Sequence, residues 1–292
     1  MIQTRPGVQA PRVSVVIPTL NEARNLPHVF ERLPAGLHEV IVVDGHSVDD
    51  TVAVARRLRP DVRVIMQTRR GKGNALACGF AAATGDIIAM VDADGSADPG
   101  EIERFVATLL AGAEFAKGTR FGPGGGSSDL TMLRMWGNRV LGAIVNLMYR
   151  TSYSDLCYGY NVFWRGLVPL LELDADSPPP PGGGWLWGDG FEVETLIHLR
   201  VAAAKLMVAE VPSYEHCRIH GASNLSAFKD GFRVLRIILL ERRLARSRPP
   251  VVRERSHLAY ATRQAGGTVY KDSPTRPLPA GGRALQMDRI GL

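Results

Sequence analysis

The sequence is poor in cysteine, and its few cysteines are far apart. Cys78, Cys157 and Cys217 form no CxxC pair, which argues against a disulfide framework and against a zinc site. No run approaches the roughly 18 apolar residues of a membrane-spanning helix, and the N-terminus lacks the apolar stretch of a signal peptide. These absences predict a cytoplasmic protein, either free in solution or peripheral on the inner face of the membrane.

The composition is that of a globular protein with a basic surface. Of 292 residues, 45% are hydrophobic and 22% are charged, which suffices for one large folded domain. The formal net charge of +6 favours anionic partners such as phosphates or a membrane surface. Shifts in composition predict a flexible leader, a folded domain, a basic amphipathic segment and a disordered basic tail, at residues 1–11, 12–217, 218–246 and 247–292.

Short apolar runs alternate with helical patterns along the first 120 residues. The runs VSVVI, EVIVVD, VRVIM, DIIAMV and EFAKG predict strands, and the segments between them place apolar residues at helical spacing. This alternation predicts an α/β fold with a mostly parallel central sheet and helices on both faces. The second half is less regular, with helices predicted at 130–149, 191–204 and 226–246 and strands at GYNVFWR and KLMVAEVP.

Polar residues follow each of the first four predicted strands. The first strand ends in PTLNE, the second in Asp44, the third leads into RRGKGN, and the fourth ends in Asp92 and Asp94. Ligands bind beyond the carboxyl ends of the strands in an open parallel sheet, so these residues should converge on one edge. A carboxylate pair suits Mg²⁺ or Mn²⁺, which proteins hold together with substrate phosphates. The pattern predicts a nucleotide diphosphate bridged by a divalent ion, with Lys72 beside its phosphate or ribose.

Other nucleotide-binding classes fit less well. A dinucleotide-binding fold needs GxGxxG at the start of its first helix, where this chain has PTLNEARN, and GKGN lacks two features of a P-loop. A nucleotidyltransferase would carry a glycine-rich, arginine-containing loop after the first strand. A nucleic-acid-binding module would interleave aromatic with basic residues, so we expect no nucleic-acid partner.

Four segments together resemble the inverting glycosyltransferases of family 2. In chain order they are VSVVIPTLNEARNL, EVIVVDGHSVDDT, RRGKGNALACGFAAATGDIIAMVDADGSADP and FAKGTRF. The resemblance covers roughly residues 12 to 236 and is greatest to the polyprenyl-phosphate (dolichyl-phosphate) mannose and glucose synthases. It implies the GT-A fold, a nucleotide-sugar donor, a divalent metal and a lipid-phosphate acceptor.

The resemblance also implies roles for individual residues. The donor site would comprise Pro18, Asn21, Glu22, Asp44, Lys72, Gly73 and Asp92. Asp94 would hold the metal together with Asp92, and the arginines facing phosphates in catalysis would be Arg120 and Arg134. The acceptor or its phosphate would contact Asp155, Arg218 and Ser223. Asn224 replaces the lysine that ends the R-x-x-G-x-S-K stretch of the synthases, so one phosphate-facing cation is missing.

The need for a catalytic base depends on the acceptor. Glu192 in GDGFEVET matches the acid that deprotonates a hydroxyl acceptor in the wider family, and Asp189 and Glu194 lie nearby in sequence. A phosphate acceptor is already ionised near neutral pH and needs little help from a base. The missing lysine and the lack of membrane spans favour a soluble enzyme acting on a small molecule, so both acceptor classes stay open.

Residues 226–246 combine clustered arginines with an apolar stripe. Phe232, Leu235, Ile238 and Leu239 recur at helical spacing. Such a helix either packs on the domain or lies in a membrane interface, where it would attract anionic headgroups and bring a lipid acceptor to the site. The sequence alone does not decide between these two interpretations.

Overall fold

A seven-stranded sheet forms the centre of the computed structural model, which describes residues 10–182, 184–221 and 227–247. The strands are β1 (Val13–Thr19), β2 (Glu39–Asp44), β3 (Arg63–Met66), β4 (Ile87–Met90), β5 (Phe115–Thr119), β6 (Gly126–Ser127), β7 (Asn161–Trp164), β8 (Val208–Pro212) and β9 (Tyr214–Glu215). The predicted leader, 1–11, and the predicted tail, 247–292, lie outside the described residues except for residues 10, 11 and 247.

The large sheet has the order β3-β2-β1-β4-β7-β5-β8 and is mostly parallel, as the sequence predicts. Only β7 runs antiparallel to its neighbours β4 and β5 among the described strands. In the parallel part, Ser14 of β1 pairs with Glu39 of β2, and Val16 pairs with Met90 of β4. The short strands β6 and β9 pair with each other in a separate parallel ribbon. The carboxyl ends of β1, β2, β4 and β5 therefore lie at one edge.

Eight α-helices accompany the strands within the described residues. They are α1 (Leu26–Glu31), α2 (Thr51–Leu58), α3 (Lys72–Ala82), α4 (Ile102–Leu110), α5 (Met132–Tyr149), α6 (Val168–Leu171), α7 (Val193–Ala203) and α8 (Ala227–Ser247). The long helices predicted at 130–149, 191–204 and 226–246 are confirmed, with ends shifted by one or two residues, which is the normal uncertainty of helix boundaries. Helix α3 packs on β1 and β2, and α4 packs on β5 and β7.

The main core explains why the strands read as continuous apolar runs. Every residue of β2 is buried, as are six of the seven residues of β1, so side chains on both faces of these strands are covered. β-Branched residues such as Val15, Val16 and Ile41 suit this pleated, two-sided burial. Farther along the sheet, the ring of Phe163 stacks on Phe115 and meets Phe80 edge to face.

A second apolar cluster joins α5, α7 and α8. Leu196 and Leu199 of α7 pack with Ile237 and Ile238 of α8, and all four side chains are buried. Helix α8 therefore packs on the domain through part of its apolar stripe, while its Phe232 is exposed. None of the described helices is long and apolar enough to cross a membrane.

Candidate functional site

One large cavity opens at the carboxyl edge of the sheet. Its volume is about 1590 Å³, and its wall combines polar side chains from the strand ends with apolar side chains of α5 and α8. The residues predicted from sequence that line it are Pro18, Asn21, Glu22, Lys72, Asp92, Asp94, Arg120, Arg134, Glu192 and Arg218. Three other predicted residues, Asp44, Gly73 and Asp155, are not part of its wall. Ser223 lies outside the described residues.

The two carboxylates that follow β4 face the cavity, and each has a cation beside it. Oδ2 of Asp94 lies 2.9 Å from a guanidinium nitrogen of Arg218, and Oδ1 accepts a hydrogen bond from the backbone N–H of Ser96 at 2.9 Å. Asp92 pairs with Lys72, whose Nζ lies 2.7 Å from Oδ1 and 2.9 Å from Oδ2. The acid pair therefore lies at the carboxyl edge of the sheet, where the sequence places it, and lines the cavity.

Lys72 stands between two carboxylates at the start of α3. Its Nζ also donates to Oε1 of Glu194 at 2.5 Å. Burial alone would lower the pKa of Lys72, but Asp92 and Glu194 outweigh burial and raise the pKa, so the ammonium stays charged. Burial raises the pKa of Glu194, and the charge of Lys72 offsets only part of that effect. The three side chains form a compact ion network at the cavity wall.

Glu194, rather than the predicted Glu192, shares this network with Asp92. A Cβ added at Gly159 would lie 2.2 Å from Oε1 of Glu194, so a larger residue there would force this carboxylate to shift. Glu192 lines the cavity, and its Oε1 accepts a hydrogen bond from the backbone N–H of Gly190 at 3.2 Å. Both acids belong to GDGFEVET, and residues two apart at a helix start point in different directions. The resemblance to the family selects Glu192, and no local pattern indicates that Glu194 is the acid that meets Lys72.

Arg218 connects the acid pair to the loop after β1. One guanidinium nitrogen lies 3.8 Å from Oε1 of Glu22, while another contacts Asp94. Oε2 of Glu22 accepts a hydrogen bond from Nδ2 of Asn25 at 2.5 Å. Burial raises the pKa of Glu22, and the nearby charge of Asp94 adds to the rise. The side chain of Arg218, which is about one-third exposed, thus contacts both the predicted metal ligand and the loop after β1.

Arg120 lines the cavity, but protein carboxylates hold its guanidinium. Asp155 accepts from Nε at 2.7 Å and from a terminal nitrogen at 2.9 Å, and Glu215 accepts from the other terminal nitrogen at 3.0 Å. Burial would raise the pKa of Asp155, but Arg120 and Lys117 outweigh burial and lower the pKa. The structure does not support the predicted acceptor contact of Asp155, because the side chain is fully buried. Its position is that of a residue that orients Arg120.

Asp44 and Gly73 lie behind the cavity wall. Asp44 is buried and accepts hydrogen bonds from the backbone N–H and the Oγ of Ser47 at 2.8 and 2.6 Å. Ser47 Oγ in turn accepts from the backbone N–H of Asn21 at 2.9 Å, so Asp44 ties together the loops after β1 and β2. A Cβ at Gly73 would lie 1.7 Å from the carbonyl oxygen of Gly188. Position 73 therefore requires glycine, because the backbone of residue 188 approaches it too closely for any side chain.

A buried ion pair that the sequence does not indicate attaches residues 174–189, a segment rich in proline and glycine, to the residues before α3. Arg69 donates to both carboxylate oxygens of Asp189, at 3.0 and 2.9 Å, and also to the backbone carbonyls of Asp174 and Ser177. The loop thus held in place contributes Trp185 to the cavity wall. Arg69 and Asp189 are 120 residues apart, and neither RRGKGN nor GDGFEVET indicates that these two residues pair, so only the folded chain reveals the contact.

The carboxylate oxygens at the carboxyl edge of the sheet suit a hard divalent cation. Asp92 and Asp94 offer carboxylate oxygens to the cavity, and Mg²⁺ is typically held by one or two carboxylates plus substrate phosphates. Across residues 10–182, 184–221 and 227–247, no group of three His, Cys, Asp or Glu side chains is placed to hold a metal. The described side chains therefore suit an ion whose remaining ligands are phosphate and water oxygens.

Known proteins resemble this chain in sequence. A family model described as Glycosyl transferase family 2 matches residues 14–169. An uncharacterized glycosyltransferase of Mycobacterium tuberculosis is 44% identical over 214 residues, which is 73% of this chain and 89% of that protein. A dolichol-phosphate mannosyltransferase of Pyrococcus furiosus is 36% identical over 237 residues, which is 78% of this chain and 62% of that longer protein.

The fold also matches solved structures. Glucosyl-3-phosphoglycerate synthase from M. tuberculosis, in complex with Mn²⁺, uridine diphosphate and glucosyl-3-phosphoglycerate, superposes with a TM-score of 0.60 at 23% identity. The superposition covers 82% of this chain and 86% of that one. At this identity the similarity establishes a common GT-A architecture.

Proposed function

The chain belongs to glycosyltransferase family 2, and on that basis we propose that it transfers a hexose from a nucleotide-diphosphate sugar to a polyprenyl phosphate with the help of Mg²⁺ or Mn²⁺. The observation that carries the proposal is the meeting of two acids, Asp92 and Asp94, with two cations, Lys72 and Arg218, in one cavity at the carboxyl edge of the sheet. Family relatives named for lipid-phosphate acceptors support this assignment.

The donor would lie across the ends of β1 and β4. Asn21 and Glu22 would contact the nucleoside from the loop after β1, and Asp92 would contact it from the other side. Asp94 would hold the metal together with oxygens of the donor diphosphate. Arg218 would then leave Asp94, because a cation at that carboxylate competes with the guanidinium, and would turn toward the negative diphosphate.

The chemical step needs charge stabilisation at the leaving group. The bound metal would supply Lewis-acid stabilisation of the departing nucleoside diphosphate. Arg218 and Arg134 would add positive charge to that diphosphate, and both side chains line the cavity. Lys72, held charged between Asp92 and Glu194, would fix the position of the acids against which the donor is bound. In-line attack by an ionised acceptor phosphate at the anomeric carbon would invert its configuration.

The apolar part of the cavity favours a lipid acceptor. Leu133, Trp136 and Val140 of α5 and Phe232 and Leu235 of α8 line the same cavity as the acids. An acceptor with a phosphate head and an isoprenoid tail has both chemistries that such a wall can accommodate. This route requires peripheral contact with the inner face of the membrane.

A small hydroxyl acceptor is the second candidate, and the carboxylate of Glu192 in the cavity wall favours it. A neutral hydroxyl must lose its proton during attack, and Glu192 lines the cavity as a candidate base. Burial raises the pKa of Glu194, but Lys72 occupies that carboxylate, which makes Glu194 a positioning residue rather than a base. A requirement for Glu192 in transfer would therefore distinguish this candidate from the lipid-phosphate route.

A thermal-shift screen tests the donor assignment. The full chain is heated with uridine, guanosine and adenosine diphosphate sugars, each with Mn²⁺, with Mg²⁺ or with chelator. A ligand at 100 times its dissociation constant stabilises the folded state by about 2.7 kcal/mol, which for a domain of this size raises the Tm by about 5–10 °C. We expect one nucleotide class to produce this shift only with metal. No shift with any donor would refute the proposal.

A further inference from the structure

The side-chain amide of Gln67 lies in the cavity wall without a hydrogen-bond partner in the described part of the chain. Gln67 is the first residue after β3, where its backbone N–H donates to the carbonyl oxygen of Asp44 at 3.1 Å. The residue is only 7% exposed and lines the cavity. Across residues 10–182, 184–221 and 227–247, no group forms a hydrogen bond with its Oε1 or Nε2. Because nearly all buried polar groups in proteins are hydrogen-bonded, this amide indicates a ligand that supplies the partners.

The amide lies in a recess at the ends of β1, β2 and β3. A Cβ added at Gly45 would lie 3.4 Å from Nε2 of Gln67. It would also lie 3.4 Å from a methyl carbon of Leu20 and 3.1 Å from the carbonyl oxygen of Thr19. We define the Gln67 recess as Thr19, Leu20, Gly45, Val48 and Gln67, all of which line the cavity. Glycine at position 45 leaves the space beside the amide open, because a side chain there would occupy it.

The Gln67 recess combines this amide with apolar surface. Leu20 is 59% exposed and Val48 is 92% exposed, and both line the cavity. The backbone N–H of Val48 donates to Oδ1 of Asn21 at 2.8 Å, which ties the loop after β2 to the loop after β1. A nucleobase matches both chemistries, because its ring faces pack on apolar groups while its edge carries hydrogen-bonding groups.

The position of the recess relative to Asp94 suits a nucleotide. In the sheet order β3-β2-β1-β4, the strand before Gln67 lies three places from the strand before Asp94. Neighbouring strands are about 4.8 Å apart, so the ends of β3 and β4 are about 14 Å apart. An extended nucleoside diphosphate has about this length. With its diphosphate at Asp94 and its ribose beside the loop after β1, the base would reach the Gln67 recess.

From these observations we propose that Gln67 recognises the nucleobase of the donor and determines which base the protein accepts. The amide exchanges two hydrogen bonds with the edge of the base, Oε1 accepting from an N–H of the base and Nε2 donating to a neighbouring acceptor. The ligand chemistry is therefore a planar heterocycle whose edge places a donor beside an acceptor. The inference rests on the proposed function, because the nucleotide-sugar donor supplies the base.

Asp44 is the residue to which the family resemblance gives a donor contact, but its carboxylate is used within the protein. Ser47 donates to both of its oxygens, at 2.8 and 2.6 Å, and Oγ1 of Thr19 donates to Oδ1 at 3.4 Å. Asp44 is buried and is not part of the cavity wall. Gln67 thus offers the base a hydrogen-bonding group from the cavity wall, whereas Asp44 holds the neighbouring loop in place.

Isothermal titration of the full chain with uridine, guanosine, adenosine and cytidine diphosphates, each with Mn²⁺, tests the proposal. The readout is the ratio of the Kd values for the four nucleotides. We expect the wild type to prefer one base, and Gln67→Leu to lose about 10- to 100-fold of that preference, because it keeps the size of the side chain without the amide. A structural role for Gln67 would instead weaken the binding of all four nucleotides equally.

A second variant changes the preference rather than removing it. Gln67→Glu has acceptors alone, and guanine presents two adjacent N–H donors where uracil presents one. The affinity for guanosine diphosphate relative to uridine diphosphate should therefore rise about tenfold over its value in the wild type. The Tm of each variant without nucleotide should stay close to that of the wild type, and if one variant does not fold, the other decides.

Two controls locate the effect at the amide. Thr68 is the next residue, its Oγ1 donates to the carbonyl of Ala175 at 2.8 Å, and it does not line the cavity. Thr68→Val should therefore keep the base preference of the wild type. Asp44→Asn should weaken the four nucleotides together and leave their ratios unchanged. Unchanged ratios in both Gln67 variants, equal affinity of the wild type for all four nucleotides, or loss of preference in Asp44→Asn alone would overturn the proposal.

Failure of this inference and failure of the proposed function remain distinguishable. If nucleotides bind the wild type with metal and the Gln67 variants keep its base preference, the role of Gln67 is wrong and the donor assignment stands. If no nucleotide binds the wild type with Mn²⁺, the proposed function is wrong, and the role of Gln67 is wrong with it.

Discussion

The two edges of the central sheet contain the same kinds of polar side chain but use them differently. At the amino edge, the carboxylate of Glu39 accepts hydrogen bonds from Ser14 Oγ at 2.7 Å and from the N–H and Oγ1 of Thr84 at 2.6 and 2.8 Å, and it pairs with Arg63. Burial would raise the pKa of Glu39, but these bonds outweigh it and lower the pKa to about 2. Glu39 is a buried acid whose hydrogen-bonding capacity is used within the protein.

The acid before β4 follows the same pattern. Asp86 accepts from the backbone N–H of Arg12 at 3.0 Å and from two guanidinium nitrogens of Arg12, each at 3.3 Å. Arg165, which follows the antiparallel strand β7, donates to the neighbouring carbonyl of Gly85 at 2.6 Å. Backbone and side-chain partners from adjacent strands thus hold the amino edge together, and neither acid lines the cavity.

At the carboxyl edge, Asp92 and Asp94 line the cavity instead. Asp92 and Asp94 have long cationic partners, Lys72 and Arg218, that reach in from other parts of the chain and share the cavity wall. The presence of ion pairs does not distinguish the two edges. What distinguishes them is the large cavity, which Asp92 and Asp94 line and which Glu39 and Asp86 do not. The comparison predicts that substitutions at the amino edge reduce stability and that substitutions at the carboxyl edge reduce function.

The largest effect on stability is expected at Glu39. Glu39→Ala removes three hydrogen-bond acceptor contacts and leaves Arg63 without its carboxylate, which should lower the free energy of unfolding by about 3 kcal/mol. Urea denaturation measures this change. Asp61→Ala, which removes an exposed partner of Arg59, should cost less than about 1 kcal/mol. Similar losses in the two variants would contradict the assigned role of the amino edge.

The next largest effect is expected on catalysis, for which we compare Glu192 and Glu194 of the segment GDGFEVET. Glu194→Gln keeps the shape of the side chain but removes a charge that positions Lys72, and should lower kcat by about 10- to 100-fold with little loss of stability. Glu192→Gln is the matched control and should have a smaller effect with a phosphate acceptor. Steady-state kinetics with saturating donor would measure both. A larger loss for Glu192→Gln would favour the hydroxyl acceptor and a catalytic base.

A smaller effect is expected on the free energy of unfolding at low pH, through the protonation of Glu39 at the amino edge. The pKa of Glu39 is about 2 in the folded state and near 4.5 in the unfolded state, so its contribution is fully present above pH 4.5 and is lost as pH falls toward 2. At pH 3.5 the wild type should have lost roughly 1 kcal/mol of this contribution. The difference in unfolding free energy between the wild type and Glu39→Gln isolates the contribution of Glu39 from those of the other acids. A difference that is constant between pH 7 and pH 3.5 would show that the folded pKa is not lowered.

The sequence was informative where function depends on local order along the chain. The alternation of apolar runs and helical patterns predicted the parallel strands, and the polar residues after those strands predicted the edge at which Asp92 and Asp94 meet Lys72. It was less informative where a role depends on distant partners. The burial of Asp155 against Arg120 and the packing of α8 through Ile238 arise from tertiary contacts that no local pattern encodes.

The same limit explains the assignment of acids and of exposed apolar surface. The resemblance to the family selects Glu192, and only the position of Lys72 shows that Glu194 is the acid of the ion network. The apolar residues of α5 and α8 have similar helical spacing, and only packing shows which of them stay exposed. Periodicity identifies an apolar face, whereas the identity of its partner depends on the rest of the fold.

The central claim is that Asp94 holds a divalent ion together with a nucleoside diphosphate. Isothermal titration of Mn²⁺, with and without the nucleoside diphosphate that gives the largest thermal shift, tests it on the wild type, on Asp94→Asn and on the control Asp61→Asn. We predict nucleotide-dependent Mn²⁺ binding in the wild type and in the control, and binding at least about 100-fold weaker in Asp94→Asn, because a carboxylate ligand of the metal is lost. Urea denaturation should show that Asp94→Asn unfolds within about 1 kcal/mol of the wild type. Nucleotide-dependent Mn²⁺ binding by Asp94→Asn at wild-type affinity would contradict the claim.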